Sequence, residues 1–268
     1  MNMLEKKMLE SLNDLRENYN VIGVKAEFEA EGTRKEEALR LKEIVTKANL
    51  DLTIKIGGCE AVKDTLEAKV IGVRAIVAPM IETAYAMKKF VKTVRFAFDE
   101  DEISDVDFLI NIETKTGFSN LDEIIDSPEF DFVSGVVLGR VDMTGSMGMS
   151  RSDIETDPIF DMADKISLRM RERGKKFVVG GGVSANSIPF FKKLNGRLDK
   201  YETRKVIFDA RKCLASENVA DGLIKAVGFE LNWLKNKRNF YGMIHKEDAA
   251  RIEMIEARYM KLLERAQA

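Results

Sequence analysis

Two carboxylates raise the first chemical question in this sequence. Glu113 stands at the end of the apolar run DFLINIET (107–114), and Asp142 at the end of the next such run, FVSGVVLGRVD (132–142). If the runs are consecutive parallel strands, their ends lie side by side, where parallel α/β folds build their sites. Two carboxylates there, completed by water and substrate oxygens, match the octahedral oxygen shell of Mg²⁺ or Mn²⁺. A solvated or ion-paired surface pair would show the same two letters, because 33% of the chain is charged. Lys55, in LTIKIGG (52–58), could form a Schiff base if burial depressed its pKa, or could simply pair with Glu27 or Glu60. The run Gly180-Gly181-Gly182 could turn backbone N–H groups toward a phosphate or carboxylate, with Gly181 at its centre, or could be a tight turn that needs positive φ. His245 is the one histidine, which excludes multi-histidine zinc sites and leaves a Ser-His-Asp triad poorly supplied.

Elements must hold these residues in place, and the sequence supplies an alternating set. β-branched apolar runs at 21–29, 52–58, 74–81, 107–114, 132–142, 176–184 and 203–209 are separated by segments of helical period. With TVRFAF (93–98), the least regular, as an eighth strand, they fit a closed (β/α)8 barrel, the TIM-barrel class; a doubly wound open sheet is the alternative. Thr33 and Glu36 read as a capping box for a first helix whose apolar face is Ala38, Leu39, Leu41, Ile44, Val45 and Ala48. No linker composition interrupts residues 20–210, so residues 1–215 read as one barrel. Residues 216–268 read as a C-terminal helical extension that caps the barrel or packs on a neighbouring subunit.

Composition narrows the function classes. The 268 residues are 45% hydrophobic, enough for a sizeable core, and the formal net charge is −2 with no basic block. Nucleic acid is therefore not an expected partner. The charged start and the absence of a long apolar run argue against export or a membrane span. Cys59 and Cys213 have neither disulfide-framework nor metal-site spacing, which fits a reducing cytoplasm. The 13 methionines read as core and interface filler.

Two longer words carry a resemblance. NIETKTGFSNLDEII (111–125) followed by GVVLGRVDMTGSMGM (135–149) resembles the HpcH/HpaI aldolase and citrate lyase β-subunit family. There a strand ends in E-T before a helix with N-x-x-E-I, and a later strand runs into G-P-x-D-L-S-x-x-M-G. AIVAPMIE (75–82), VKAEFE (24–29) and IKIGG (54–58) extend the likeness over residues 21–193. The resemblance implies a barrel of the phosphoenolpyruvate/pyruvate-binding type, with the metal-binding Glu and Asp at Glu113 and Asp142. It also exposes departures: Phe28 stands where the aldolase branch has histidine, Lys55 where the family has its substrate-orienting arginine, and Arg140 where it has the proline of G-P-x-D.

The activity so implied is cleavage or formation of a C–C bond through a metal-stabilised enolate of pyruvate or a related 2-oxo acid. In that reading Lys55 and Arg140 neutralise substrate charge, and N–H groups near Gly139 hold a carboxylate. Glu60, Glu82 and Gly181 border the substrate. With no suitable histidine, the base is a metal-bound hydroxide or a carboxylate, for which Glu27, Glu60 and Glu82 are candidates. A coenzyme A ester lyase acting on an acyl-CoA, or an inactive barrel serving as a binding subunit, are the alternatives. A homo-oligomer is expected.

Overall fold

Each β-branched run that becomes a strand joins one closed barrel, in a computed structural model that describes residues 1–267. Its strands are β1 (Val21–Glu27), β2 (Asp51–Lys55), β3 (Ala75–Ala78), β4 (Asp107–Ile112), β5 (Gly135–Gly139), β6 (Lys176–Gly180), β7 (Lys200–Glu202) and β8 (Val206–Asp209), paired in that order. The helices are α1 (Met3–Tyr19), α2 (Lys35–Lys47), α3 (Val62–Ile71), α4 (Ala84–Ala97), α5 (Glu100–Ile103), α6 (Lys115–Ser119), α7 (Leu121–Ile125), α8 (Arg140–Ser146), α9 (Asp157–Glu172), α10 (Ile188–Lys193), α11 (Ala210–Leu214) and α12 (Val219–Gln267). Alternation along the strands divides the core in two. Val77, Leu109, Val137 and Val178 meet inside the barrel. Their neighbours Ile76, Ile110, Leu138 and Val179 face the surrounding helices.

Strands β1 to β7 run parallel, whereas β8 runs antiparallel to both β7 and β1. The tight turn at residues 203–205 therefore lies at the end of the barrel where β1 to β6 finish. An ordinary final crossover would have carried the chain away from that face.

Three local expectations change. TVRFAF is not the eighth strand; most of it is the last turn of α4, because Met87, Phe90, Val91, Val94 and Ala97 recur every three or four residues and bury one face. The eighth strand is instead LDKYE's short β7, whose three residues are too few and too polar to show a strand pattern. Helix α2 starts one residue later than the Thr33/Glu36 box implies, with Glu37 accepting from the Arg34 backbone N–H at 3.3 Å. Leu39 lies on its exposed side, not on the buried face.

The last helix covers the barrel and then leaves it. Leu223, Ala226, Phe229 and Trp233 are buried, and this part of α12 lies along α1. From Met243 to Ala266, every residue but the half-buried Ala249 is exposed, including Ile252, Ile255, Tyr259 and Leu262.

Candidate active site

Glu113 directly follows β4 and is almost fully enclosed, 2% exposed. Its Oε2 accepts from Asn111 Nδ2 at 2.7 Å, its Oε1 from the Met80 N–H at 3.1 Å, and Lys55 Nζ lies 3.2 Å from Oε1. Gly139, the last residue of β5, leaves room for this carboxylate: a Cβ there would stand 2.4 Å from Glu113 Oε2. Burial, with Asp142 adding its negative charge, pushes the Glu113 carboxyl above its ordinary range against the pull of Lys55 and Asn111. Asp142 is close enough for its charge to be felt there, although it is exposed and sits in the first turn of α8, not on a strand. The backbone turns helical immediately after Gly139, which shortens the strand read from FVSGVVLGRVD.

Lys55 bridges two carboxylates. Its Nζ is 2.8 Å from Glu29 Oε2 as well as 3.2 Å from Glu113. Burial works against its charge, but Glu113 and Glu29 outweigh burial and hold the ammonium above its ordinary pKa. A lysine so held is a poor Schiff-base nucleophile, which favours the ion-pair reading of Lys55.

A second layer of charge lines the same mouth. Lys25 pairs with Glu202 and, at 3.2 Å, with Glu27. Burial opposes the Glu27 charge, but Lys25, Lys55 and Arg204 prevail and lower its pKa. In the 203–205 turn, Arg204 Nε is 3.2 Å from Glu31 Oε1, and the wholly buried Lys205 pairs with Glu31. The reversed β8 thus delivers two cations to the catalytic end.

The remaining sequence candidates divide. Glu82 lies near Glu113's strand end, its Oε1 accepting from the Thr114 hydroxyl at 2.6 Å. Glu60 is exposed and pairs with Lys89 of α4 at 2.5 Å, outside the lumen cluster. Arg140 is corrected outright. It is fully buried and donates to Glu155 at 2.8 Å, to the carbonyls of Gly180 and Gly181, and to Ser187, with Phe190 and Phe191 against its guanidinium. It ties β5 to the β6–α10 turn, with its guanidinium spent on those partners and not on the open mouth that the sequence reading expected. Gly181 and Gly182 have φ of 80° and 67°, so the glycine run is the positive-φ turn. It closes on the start of α8, where a Cβ at Gly181 would come within 2.8 Å of the Val141 nitrogen. His245 is exposed on α12.

Sequence reading missed Glu29, Glu31, Lys25, Asn111, Glu202, Arg204 and Lys205. Glu29 and Glu31 lie in the bend and turn after β1, so strand period could not have placed them at the mouth. The contribution of β7 and its turn had no readable signal either.

The donor set suits a hard divalent cation. Glu113 and Asp142 would supply oxygen ligands, and at the mouth Lys25, Lys55, Arg204 and Lys205 pair with five carboxylates, Glu27, Glu29, Glu31, Glu113 and Glu202, so positive charge is in deficit. Among the described residues no three His, Cys, Asp or Glu side chains converge as a metal cluster, so water and substrate would fill the other positions.

Comparison with known proteins agrees with this architecture. A family model described as HpcH/HpaI aldolase/citrate lyase matches residues 36–179. No curated protein sequence matches the chain. Among solved structures, an HpcH/HpaI aldolase from Desulfitobacterium hafniense DCB-2 aligns with a TM-score of 0.61 at 11% identity, covering 73% of this chain and 82% of that one. An HpcH/HpaI aldolase/citrate lyase family protein from Burkholderia cenocepacia J2315 gives 0.58 at 14% identity over 73% and 83%. The citrate synthase SbnG gives 0.59 at 15% identity over 87% and 90%. At such identities these likenesses speak for the fold alone.

Proposed function

The chain belongs to the HpcH/HpaI aldolase/citrate lyase family, and from that premise we propose that it is a metal-dependent carbon–carbon lyase acting on pyruvate or a related 2-oxo acid. The observation that carries this reading is Glu113. It is a buried carboxylate, fixed by Asn111 and the Met80 N–H, with the charge of Asp142 felt from the first turn of α8 after the neighbouring strand β5. Glu113 and Asp142 would hold Mg²⁺ or Mn²⁺, which when bound supplies the charge that makes an enolate accessible. The chain's own residues do the rest. Asn111 keeps the Glu113 carboxylate from rotating, and Gly139 gives it space. Lys55 stays an ammonium beside it and can meet negative charge developing on the substrate oxygen. Lys25, Glu27 and Glu202 form a buried base beneath the reacting groups that excludes water and fixes the lumen.

The test is calorimetry with Mn²⁺ and oxalate on wild type, Asp142→Ala and Glu113→Gln. Both variants should stay folded and lose most ion affinity. Unchanged affinity in Asp142→Ala would sink the assignment. Turnover of an acyl-CoA instead of a free 2-oxo acid would move the chain to the coenzyme A ester branch. A protein that binds the ion but turns over neither would be a binding barrel.

The same proposal covers setting and assembly. No helix among the described residues is long and apolar enough to cross a membrane. The free thiols of Cys59 and Cys213 suit a reducing cytoplasm. The exposed apolar stripe of α12 supports a homo-oligomer, with residues 1–215 as the barrel and 216–268 as its helical extension.

A further inference from the structure

We propose that Glu29 is the proton-transferring residue of this site, an inference that rests on the lyase reading above. The chain has no imidazole at the mouth, since its single histidine is exposed on α12. Phe28 cannot substitute: its ring packs against the outer core, and its backbone N–H donates to the Lys55 carbonyl at 2.8 Å. Beyond the end of β1 the chain bends, and the next side chain, Glu29, meets Lys55 Nζ at 2.8 Å. The same Nζ contacts Glu113, so Glu29 and the metal-binding carboxylate flank one ammonium.

The competing carboxylates are committed elsewhere. Glu27 is held by Lys25 and buried at 8% exposure. Glu60 pairs with Lys89 away from the cluster, and Glu82 is fixed by the Thr114 hydroxyl. Glu29 makes one ion pair, through Oε2, and its side chain is 21% exposed, so it can meet a substrate entering the mouth. Lys55 meets Oε2 as an ion pair without a hydrogen bond of good geometry and leaves the second oxygen uncommitted.

In aldol cleavage the Glu29 carboxylate takes the proton of the substrate's hydroxyl as the C–C bond breaks. The bonding pair becomes the enolate, and the former hydroxyl carbon leaves as a carbonyl. The Glu29 carboxyl then returns its proton to the enolate carbon, giving the methyl group of pyruvate and restoring the carboxylate. No external oxidant or reductant is required.

The experiment follows the half-reaction alone: exchange of the pyruvate methyl protons in D2O with Mn²⁺ removed before NMR detection, for wild type, Glu29→Gln and Glu29→Ala. We expect Glu29→Gln to slow exchange by about 10²-fold or more, the usual contribution of a positioned acid–base group, while its affinity for Mn²⁺ and oxalate stays at the wild-type level. Added formate should restore exchange in Glu29→Ala. Wild-type exchange in Glu29→Gln, or a loss that formate does not restore and that comes with lost oxalate affinity, would overturn the assignment while leaving the lyase reading intact. A wild-type protein that binds Mn²⁺ but neither exchanges nor cleaves 2-oxo acids would overturn the lyase reading and this inference with it.

Discussion

Arg140→Met should unfold the protein more easily without touching the chemistry directly. The guanidinium is wholly buried and donates to Glu155 at 2.8 Å, to the Gly181 carbonyl at 3.1 Å, to Ser187 at 3.2 Å and to the Gly180 carbonyl at 3.3 Å. Methionine can fill most of the space against Phe190 and Phe191, so the loss is polar: a carboxylate, two carbonyls and a hydroxyl lose their donor. Breaking a buried pair from one side costs about 3–5 kcal/mol. The Glu155 side chain is 26% exposed and recovers some solvation, which points to about 3 kcal/mol. For a chain of this size that corresponds to a fall in melting temperature of roughly 6–12 °C. Urea unfolding followed by circular dichroism measures it, and the same preparations supply turnover at a temperature where both proteins are folded. A variant with an unchanged midpoint and abolished turnover would show that the guanidinium serves the substrate, and the structural reasoning would fail.

Gly139→Ala should cost about 1–3 kcal/mol from overpacking and weaken divalent-ion binding, because its Cβ would press on Glu113 while its φ of −88° adds no backbone strain; calorimetry showing normal affinity would mean that Glu113 is not confined there. At the opposite end of the barrel, Asp107 is paired with Lys176 at 2.7 Å. Burial raises its pKa, but Lys176 and Lys200 outweigh burial and hold the carboxyl below its ordinary value. Its contribution to stability is therefore present above the ordinary carboxylate range and lost as pH falls through the folded value, so Asp107→Asn should flatten the loss of stability below about pH 4 in acid titrations. Truncation after Gly242 should leave the barrel folded and lower the mass seen in sedimentation; a full-length chain that sediments as a monomer would contradict the oligomer. His245→Ala should keep near-normal turnover, and a large loss would place an imidazole in the mechanism.

The sequence by itself determined the barrel and the pair of residues on which the proposed site turns. Hydrophobic period two against period 3.6 is a local property, so six of the seven parallel strands and the main helices were legible before any contact was known. Glu113 was legible too, as a carboxylate directly after an apolar run, whereas Asp142, which ends the next run, lies in the first turn of α8. Tertiary structure decided what the letters could not. Arg140 looked like a guanidinium for the substrate until packing aimed it at Glu155 and the β6–α10 turn. The three-residue β7 and the reversal of β8 have no periodic signature, because so short a strand is defined only by its neighbours. That reversal brings Arg204 and Lys205 to Glu31 across more than half the chain. Lys55, ambiguous in sequence, became a fixed ammonium only when Glu29 and Glu113 arrived on either side of it. Which face a residue presents can be read locally, but which charge it meets depends on barrel closure, and closure is a property of the whole chain.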